Sequence, residues 1–253
     1  PWANRHIGNP FLSTFLNLIY KTQIGDAHCG MRSFTREAFE RMKLKTPGME
    51  FASEMVIKAS LLGLKIREVP ITLHHSPGER KPHLRPLPDG FRHLRFMLMY
   101  SPTHLFLVPG TVLLVLGFIP LLALLRGPIW IGGHGYDQHF MVLGSLLAIL
   151  GYQIINLGLY AKAYSYQEKI ISDPFIEGFY RKFNLHRGVI LGTVIAAGGF
   201  AILVYLLVKF FALAGAIYEL RLAILGLTFV IIGTQTIFSS FLLSIMEIKA
   251  GRE

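Results

Sequence analysis

The 253-residue sequence has one cysteine, Cys29, and charged residues make up only 16% of it. A single cysteine cannot form an internal disulfide, which excludes a disulfide-stapled scaffold and fits a reducing compartment. A small packing role explains Cys29 better than nucleophilic chemistry does. The N-terminus is polar and the first long apolar run starts near residue 105, so the sequence shows no cleavable signal peptide.

Phosphate-binding motifs are missing as well. The chain has no glycine-rich phosphate loop, no dinucleotide fingerprint and no Asp-x-Asp pair, which usually hold nucleotide phosphates directly or through a divalent metal. It begins at Pro1 within polar sequence that is typical of the middle of a domain. We therefore expect a truncated chain whose nucleotide-binding half lies upstream.

Charged residues are absent altogether from four long apolar runs. Apolar residues make up 52% of the chain and the mean hydropathy is +0.47, values that soluble domains rarely reach. Crossing a bilayer core takes about 20 residues. The runs therefore predict a membrane domain over 105–253 with four transmembrane helices, at about 105–125, 140–161, 188–208 and 222–246.

Lysine and arginine are divided unevenly between the two sides of these runs, and they accumulate on the cytoplasmic side of membrane proteins. Two short loops, 126–139 and 209–221, carry only Arg126, Lys209 and Arg221. Ten cations flank the other side: Arg85, Arg92, Arg95, Lys162, Lys169, Arg181, Lys182, Arg187, Lys249 and Arg252. The sequence predicts a multi-pass protein of the plasma membrane with both termini and the polar N-terminal part in the cytoplasm.

Residues 1–104 are the basic part of the chain. They hold 15 Lys and Arg against 8 Asp and Glu, a net charge of +7 out of a total of +10. Anionic lipid headgroups are the simplest partner, because each cation near a membrane surface contributes about 1 kcal/mol. Nucleic acid is the rival partner, but zinc-finger spacing, a helix-turn-helix pattern and an aromatic RNA-binding motif are all missing. We therefore expect a membrane partner and no nucleic acid.

Local patterns predict four helices and a strand in the first hundred residues. Apolar residues at three- and four-residue spacing indicate amphipathic helices over 10–21 and 89–100, which either lie in a membrane interface or pack on a soluble core. Thr35 is a suitable N-cap for a short helix and Gly63 ends a longer one, so helices are expected over 36–42 and 52–62. Alternating apolar residues predict a strand over 66–73, at a sheet edge because it contains Pro70.

Five separated strings carry a resemblance to a known family. The first is Ile24-Gly-Asp-Ala-His-Cys-Gly-Met-Arg-Ser-Phe34, preceded by Asn17, and the others lie at 48–55, 68–72, 83–96 and 235–241. Together they resemble the family-2 glycosyltransferases of the polyprenyl-phosphate (dolichol-phosphate mannosyltransferase-like) group. The last two strings are similar to its bacterial four-span branch, which is described as dolichyl-phosphate-glucose synthetase-like. The resemblance covers nearly the whole chain, in order.

This resemblance implies an α/β fold for the polar part. Residues 1–87 would form the C-terminal part of a GT-A domain with a mainly parallel sheet, followed by an amphipathic juxtamembrane helix over 88–104 and the all-α membrane domain. The implied reaction moves a sugar from a nucleotide-sugar donor to a polyprenyl phosphate on the cytoplasmic face. A divalent metal, Mg or Mn, is implied too, with its ligands upstream of residue 1. We expect the fragment alone to be inactive; a non-enzymatic membrane scaffold or lipid-handling protein is the alternative.

The chemistry of such an acceptor favours cations over general bases. A polyprenyl phosphate carries roughly −1.5 to −2 charge near neutral pH, so the nucleophile is already an anion. The resemblance implies Asp26, Arg32 and Glu54 as catalytic residues, with Asp26 fixing Arg32 or touching the sugar and Glu54 orienting acceptor or sugar. The alternatives are structural: an ion pair between Asp26 and Arg32, and an exposed pair of Glu54 with Lys58 worth about 0.3–0.5 kcal/mol.

Phosphate-binding residues are implied at two further places. Arg5 and Asn9, four positions apart, would lie near the acceptor phosphate. The basic loop 74–88 would approach the donor diphosphate as a mobile lid through Arg80, Lys81, His83 and Arg85. The alternatives are a solvated Arg5 at a helix entry and a loop whose cations face lipid.

Overall fold

The computed structural model describes residues 8–27, 29–48, 50–72, 86–167, 178, 184–212 and 219–250, with the side chains of 9, 86–89, 167 and 248–250 left out. The chain divides into two compact units, Pro1–Ser101 and Pro102–Glu253. Helices dominate the described residues of both units.

The described residues of the first unit form four helices. Its helices are α1 (Asn9–Tyr20), α2 (Arg36–Met42), α3 (Glu50–Leu61) and α4 (Pro86–Met99). They confirm the four helices predicted from the sequence. Their ends differ from the predicted ends by no more than a turn, which is the usual uncertainty where helix termini fray.

Local signals set the ends of the two middle helices as predicted. The hydroxyl of Thr35 accepts a hydrogen bond from the backbone N–H of Ala38 at 3.2 Å, which satisfies one of the free donors at the start of α2. Past the end of α3, Gly63 adopts a positive φ of 63°. The backbone N–H of Leu64 then donates to the carbonyl of Ala59 at 2.9 Å, a pattern that closes a helix C-terminus.

Helices α1, α3 and α4 enclose the hydrophobic core of the first unit. Leu16, Ile57 and Met97, one from each helix, are fully buried. The hydroxyl of Tyr20 donates to the carbonyl of Met97 at 2.6 Å, and burial raises the pKa of Tyr20. This core fixes α4 against α3 and so determines which side chains of the two helices face each other.

The strand predicted over 66–73 is wrong for the described residues 66–72, which form neither strand nor helix. Val69 and Ile71 are exposed there, at 78% and 52%. A strand is stabilised by a neighbouring segment that completes its hydrogen bonds, and none of the described segments pairs with this one. The alternating pattern was present, but the pattern alone does not supply a partner.

The described residues of the second unit form four long helices: α5 (Val108–Ala123), α6 (Gln138–Gln167), α7 (Leu185–Ala212) and α8 (Leu220–Ala250). A π-helical turn, Thr103–Leu107, leads into α5. Within the part of the chain that the structure describes, four stretches are long and apolar enough to cross a membrane: Thr103–Arg126, Gln138–Tyr166, Leu185–Ala212 and Leu220–Glu247. They confirm the four predicted spans, since each predicted run lies inside one of them.

A short β-ribbon joins α5 to α6, where the sequence predicted only a loop. Strands β1 (Ile129–Ile131) and β2 (His134–Tyr136) pair antiparallel, with Ile131 opposite His134. The two residues between them, Gly132 and Gly133, have φ values of 58° and 80°. Two consecutive positive φ angles make the tight turn that suits a two-residue hairpin, and glycine adopts them without strain.

Glycines at seven-residue spacing bring the membrane helices together as two antiparallel hairpins, α5 with α6 and α7 with α8. A Cβ atom added to Gly110 would lie 2.9 Å from the carbonyl oxygen of Gly151, and one added to Gly199 would lie 2.6 Å from that of Gly226. Small residues allow such backbone approach between membrane helices. The glycines concerned are Gly110 and Gly117 in α5, Gly144 and Gly151 in α6, Gly192 and Gly199 in α7, and Gly226 and Gly233 in α8.

Polar side chains join the two hairpins through α6 and α8. Three hydroxyl pairs lie along this contact at 2.5–2.7 Å: Ser145 with Thr228, Tyr152 with Thr236, and Tyr160 with Ser239. Each such bond between membrane helices contributes on average about 0.6 kcal/mol. All six groups are uncharged hydroxyls, which is typical of hydrogen bonds that hold membrane helices together.

Replacing Gly199 with alanine is expected to destabilise the second unit by about 2 kcal/mol, because the added Cβ would overlap the backbone of α8. The matched control is Gly198→Ala, since no atom lies within 4 Å of a Cβ added at that neighbouring position. Thermal unfolding of both variants in detergent is the measurement. Equal midpoints for the two variants would contradict the close helix contact.

Candidate functional site

The loop after α1, which carries Asp26, is fastened by side chains of α1. The amide group of Asn17 donates to the carbonyl of Ile24 at 2.9 Å and accepts from its backbone N–H at 3.1 Å. The hydroxyl of Ser13 accepts from the backbone N–H of Ala27 at 3.2 Å. Ile24 and Ala27 are buried on either side of the exposed Asp26. Side chains of α1 thus hold the loop at Ile24 and at Ala27, and Asp26 lies between these two points.

A carboxylate from later in the chain, that of Glu68, binds the backbone of the same loop. The carboxylate of Glu68 accepts from the backbone N–H of Gly25 at 2.9 and 3.0 Å and from that of Asp26 at 3.3 Å. Hydrogen bonds between a carboxylate and backbone N–H groups are charge-assisted and therefore stronger than neutral ones. Glu68 therefore fixes the main chain at Asp26.

Arg32 ties the loop to α3. Its Nε donates to the carbonyl of Cys29 at 2.8 Å, its Nη1 to that of Ala52 at 2.6 Å and its Nη2 to that of Ala27 at 2.5 Å. Burial lowers the pKa of Arg32, while the nearby Cys29 and Asp26 raise it. The guanidinium group is thus committed to three main-chain acceptors and acts as a clamp across the loop.

Glu54 is fully buried in the middle of α3, with hydrogen-bond donors around both of its oxygens. The backbone N–H groups of Lys45 and Thr46 donate to it at 2.9–3.1 Å, and the Thr46 hydroxyl does so at 2.5 Å. The ammonium group of Lys58 lies 2.7 Å away and the hydroxyl of Tyr100 3.4 Å away. The exposed ion pair with Lys58 that the spacing suggested is therefore a buried one.

These donors control the protonation of Glu54. Burial by itself raises the pKa of a carboxyl group, but the hydrogen bonds from Lys58, Thr46 and Lys45 outweigh burial and lower the pKa of Glu54 to about 2. Because the folded-state pKa is depressed, the stabilisation is complete above the ordinary value of 4.5 and is lost as the pH falls towards 2. At neutral pH Glu54 is an anion that holds the 45–46 segment.

An open groove lies between that segment and α4, and we call it the α3–α4 groove. Its volume is about 270 Å³, and its lining combines cations with apolar side chains. Arg92 and Arg95 provide the positive charge, and Nε of Arg92 lies 3.3 Å from the Glu50 carboxylate. The remaining lining residues are Thr46, Pro47, Phe96 and Met99.

The structure places three of the predicted site residues, Asp26, Arg32 and Glu54. Asp26 and Arg32 lie in one loop, whereas Glu54 turns towards the 45–46 segment and Tyr100. Their catalytic roles stay predictions. The other predicted site residues were expected to bind phosphate. Asn9 lies at the start of α1, but its side chain is not described. The others lie outside the described residues: Arg5, Arg80, Lys81, His83 and Arg85.

Sequence reasoning missed the residues that position this loop and groove. Asn17 and Glu68 belong to strings that carried the family resemblance, so a signal for them was present, but their partners lie up to 43 residues away. Arg92 and Arg95 were interpreted as cations flanking the first span, on a helix that either lies in a membrane interface or packs on a soluble core. Their groove forms because α4 packs on α3, a contact that no local pattern encodes.

The described residues offer no metal centre. No group of three or more His, Cys, Asp or Glu side chains comes together among them. The oxygens of Glu54 are occupied by N–H and O–H donors and by the ammonium group of Lys58, so this carboxylate is not available to a divalent metal.

Two comparisons with known proteins bear on the family of this chain. Residues 159–247 match the family described as Glycosyltransferase family 2 C-terminal transmembrane region. The low-salt glycan biosynthesis hexosyltransferase Agl6 of Haloferax volcanii is 38% identical over 248 residues. The chain is related to the family-2 glycosyltransferases. No solved structure matches it.

The alignment with the hexosyltransferase covers nearly all of the present chain but only part of that protein. The aligned part is 96% of the present chain and 58% of the hexosyltransferase, so the chain spans less than two thirds of that protein. The alignment includes both units, because 248 residues exceed the length of either. The family match to 159–247 begins in α6 and ends in α8. The resemblance drawn from the five strings is thus confirmed at the level of the family.

Replacing Glu54 with glutamine should destabilise the first unit by about 3 kcal/mol at neutral pH, because Lys58 would keep a largely buried charge without its counterion. The difference from the wild type should shrink as the pH falls from 4.5 towards 2. Thermal unfolding across this range measures it. The control is Glu40→Gln, whose pair with Arg36 is exposed and worth less than about 0.5 kcal/mol. A pH-independent difference for Glu54→Gln would contradict the assignment.

Proposed function

We propose that this chain forms part of a membrane-bound hexosyltransferase that moves a sugar from a nucleotide-sugar donor to a polyprenyl phosphate. The observation that carries the proposal is the identity with a glycan biosynthesis hexosyltransferase over both units. Four spans beside a basic polar unit suit an acceptor that stays in the bilayer. Mg or Mn, and the nucleotide-binding half of a GT-A domain, complete the proposed enzyme.

The loop at Asp26 has the features of a substrate-positioning element. The side chain of Asp26 is exposed, while Glu68 binds the backbone N–H of Asp26 and the neighbouring Ala27 is hydrogen-bonded to α1. Placing a reacting group within a fraction of an ångström matters greatly, since a shift of about 1 Å costs about a hundredfold in rate. Asp26 is therefore our candidate for contact with the sugar, and Arg32 for the residue that holds Asp26 in place.

The proposed reaction asks little of a general base in this chain. The acceptor phosphate is already an anion at neutral pH, so the protein must mainly position it and offset its charge. Glu54 remains ionised but its oxygens are occupied by donors of the 45–46 segment and by Lys58. It suits the positioning of that segment better than proton transfer.

We also propose that the polar unit faces the cytoplasm at the plasma membrane. The opposite side carries three Lys or Arg residues in the sequence, Arg126, Lys209 and Arg221. The ten cations on the other side form the larger positive group in the sequence. This asymmetry follows the rule that Lys and Arg stay on the cytoplasmic side.

The test uses the whole protein in nanodiscs with labelled nucleotide sugars and polyprenyl phosphate. Wild-type protein should transfer label to the lipid. Asp26→Asn should lower kcat by about a hundredfold without lowering the unfolding temperature, because the loop is held by main-chain bonds that the substitution leaves in place.

The control is Glu37→Gln on the exposed face of α2, where the side chain is 83% exposed. It should transfer sugar at the wild-type rate. Undiminished transfer by Asp26→Asn would remove Asp26 from the site. Absence of transfer by the wild type with every nucleotide sugar would favour the lipid-handling or scaffold alternative.

A further inference from the structure

The β-ribbon between α5 and α6 exposes apolar side chains on both of its faces. Trp130 is 73% exposed, and its neighbours Ile129 and Ile131 are 36% and 63% exposed. Successive residues of a strand point to opposite faces, so Trp130 lies on one face and the two isoleucines lie on the other. An isolated two-stranded ribbon is at best marginally stable in water, so these side chains need a further surface to cover them.

The ribbon lies in an uncharged segment between two membrane-spanning stretches. One stretch ends at Arg126 and the next begins at Gln138. Residues 127–136 contain no Asp, Glu, Lys or Arg, although loops and turns in water are usually polar. Each strand has three residues and therefore spans only about 10 Å. The ribbon thus stays close to the helix ends, where the polar headgroup layer begins, about 5–8 Å thick on each side of a bilayer.

The base of the ribbon is fixed on the membrane helices. The side chain of Tyr136 packs against a buried apolar cluster at the ends of α5, α6 and α8. Its ring also meets that of Phe140 edge-on, with 4.7 Å between the centroids. Tyr136 lies opposite Ile129 in the ribbon, and opposite residues share a face. The face that carries Ile129 and Ile131 is therefore the one turned towards the membrane helices.

Trp130 lies on the other face, against Gly135. The two residues are opposite each other in the ribbon, and a Cβ atom added to Gly135 would lie 3.1 Å from the indole ring. The ring therefore covers the main chain at Gly135 and leaves the rest of its surface exposed. An indole combines a large apolar surface with one N–H donor, and tryptophan is enriched at the headgroup level of membranes for that reason.

The open edges of the ribbon limit how deep it can lie. Each strand of a two-stranded ribbon leaves the N–H and C=O groups of its outer edge without a partner strand. Such groups are costly in the hydrocarbon core, where only helices and closed barrels satisfy all of their backbone hydrogen bonds. In the headgroup layer, water and lipid oxygens complete these hydrogen bonds. The apolar side chains therefore favour lipid, while the backbone excludes the centre of the bilayer.

We propose that the β-ribbon lies along the headgroup layer of the bilayer, with Ile129 and Ile131 against the acyl chains and Trp130 at the level of the headgroups. The partner of this surface is the lipid itself, and the ribbon continues the lipid contact of the two spans that it joins. It holds the end of the α5–α6 hairpin at a fixed depth. This assignment is independent of the proposed sugar transfer.

Tryptophan fluorescence of the 253-residue chain in phosphatidylcholine nanodiscs tests this proposal. The chain has two tryptophans, Trp2 and Trp130, so Trp2→Phe leaves Trp130 as the reporter. A second variant adds Trp130→Phe and Ile131→Trp to report on the other face. The control adds Trp130→Phe and Glu37→Trp, at a side chain that is 83% exposed on α2. The quenchers are iodide in water and lipid brominated either near the headgroup or near the chain end, and free N-acetyltryptophanamide gives the reference for full exposure to water.

Iodide should quench both ribbon reporters severalfold less than the control, because the headgroups shield them from bulk water. Bromine near the headgroup should quench Trp130 more than bromine near the chain end, and brominated lipid should quench the Ile131→Trp reporter more than Trp130.

Three results would overturn the proposal. Iodide quenching equal to that of the control would place the ribbon in water. Protection from iodide without quenching by brominated lipid would place it against protein, such as a second copy of the chain. Stronger quenching of Trp130 by bromine near the chain end would place it in the hydrocarbon core. Circular dichroism checks that each variant is folded, and if Ile131→Trp is not, Trp130 alone still decides between water, protein and lipid.

Discussion

The buried carboxylate of Glu54 is the interaction on which the first unit's candidate groove depends. Removing a carboxylate from water is costly unless hydrogen bonds and an opposite charge replace the water. Here Lys58 supplies the charge, and the segment before α3 supplies backbone N–H groups and a hydroxyl. The requirement to satisfy one anion thus draws the 45–46 segment over α3. That segment then becomes a wall of the groove.

The same residue shows where sequence reasoning succeeds and where it stops. The four-residue spacing of Glu54 and Lys58 predicts that they pair on one face of a helix, and they do. Burial of the pair depends on a covering segment nine residues earlier, and helical periodicity carries no information about it. The pair therefore appeared to be a weak surface contact, although it is enclosed and the pKa of Glu54 is strongly depressed.

A similar division holds for the rest of the fold. Helices whose ends are set by a single side chain, such as the cap at Thr35 and the stop at Gly63, were predicted from adjacent residues. Membrane spans follow from composition alone, because about 20 apolar residues have few other stable environments. The strand over 66–73 and the α3–α4 groove depend on partners far along the chain. The β-ribbon was missed despite its Gly-Gly turn, since its three-residue strands are too short to show alternation.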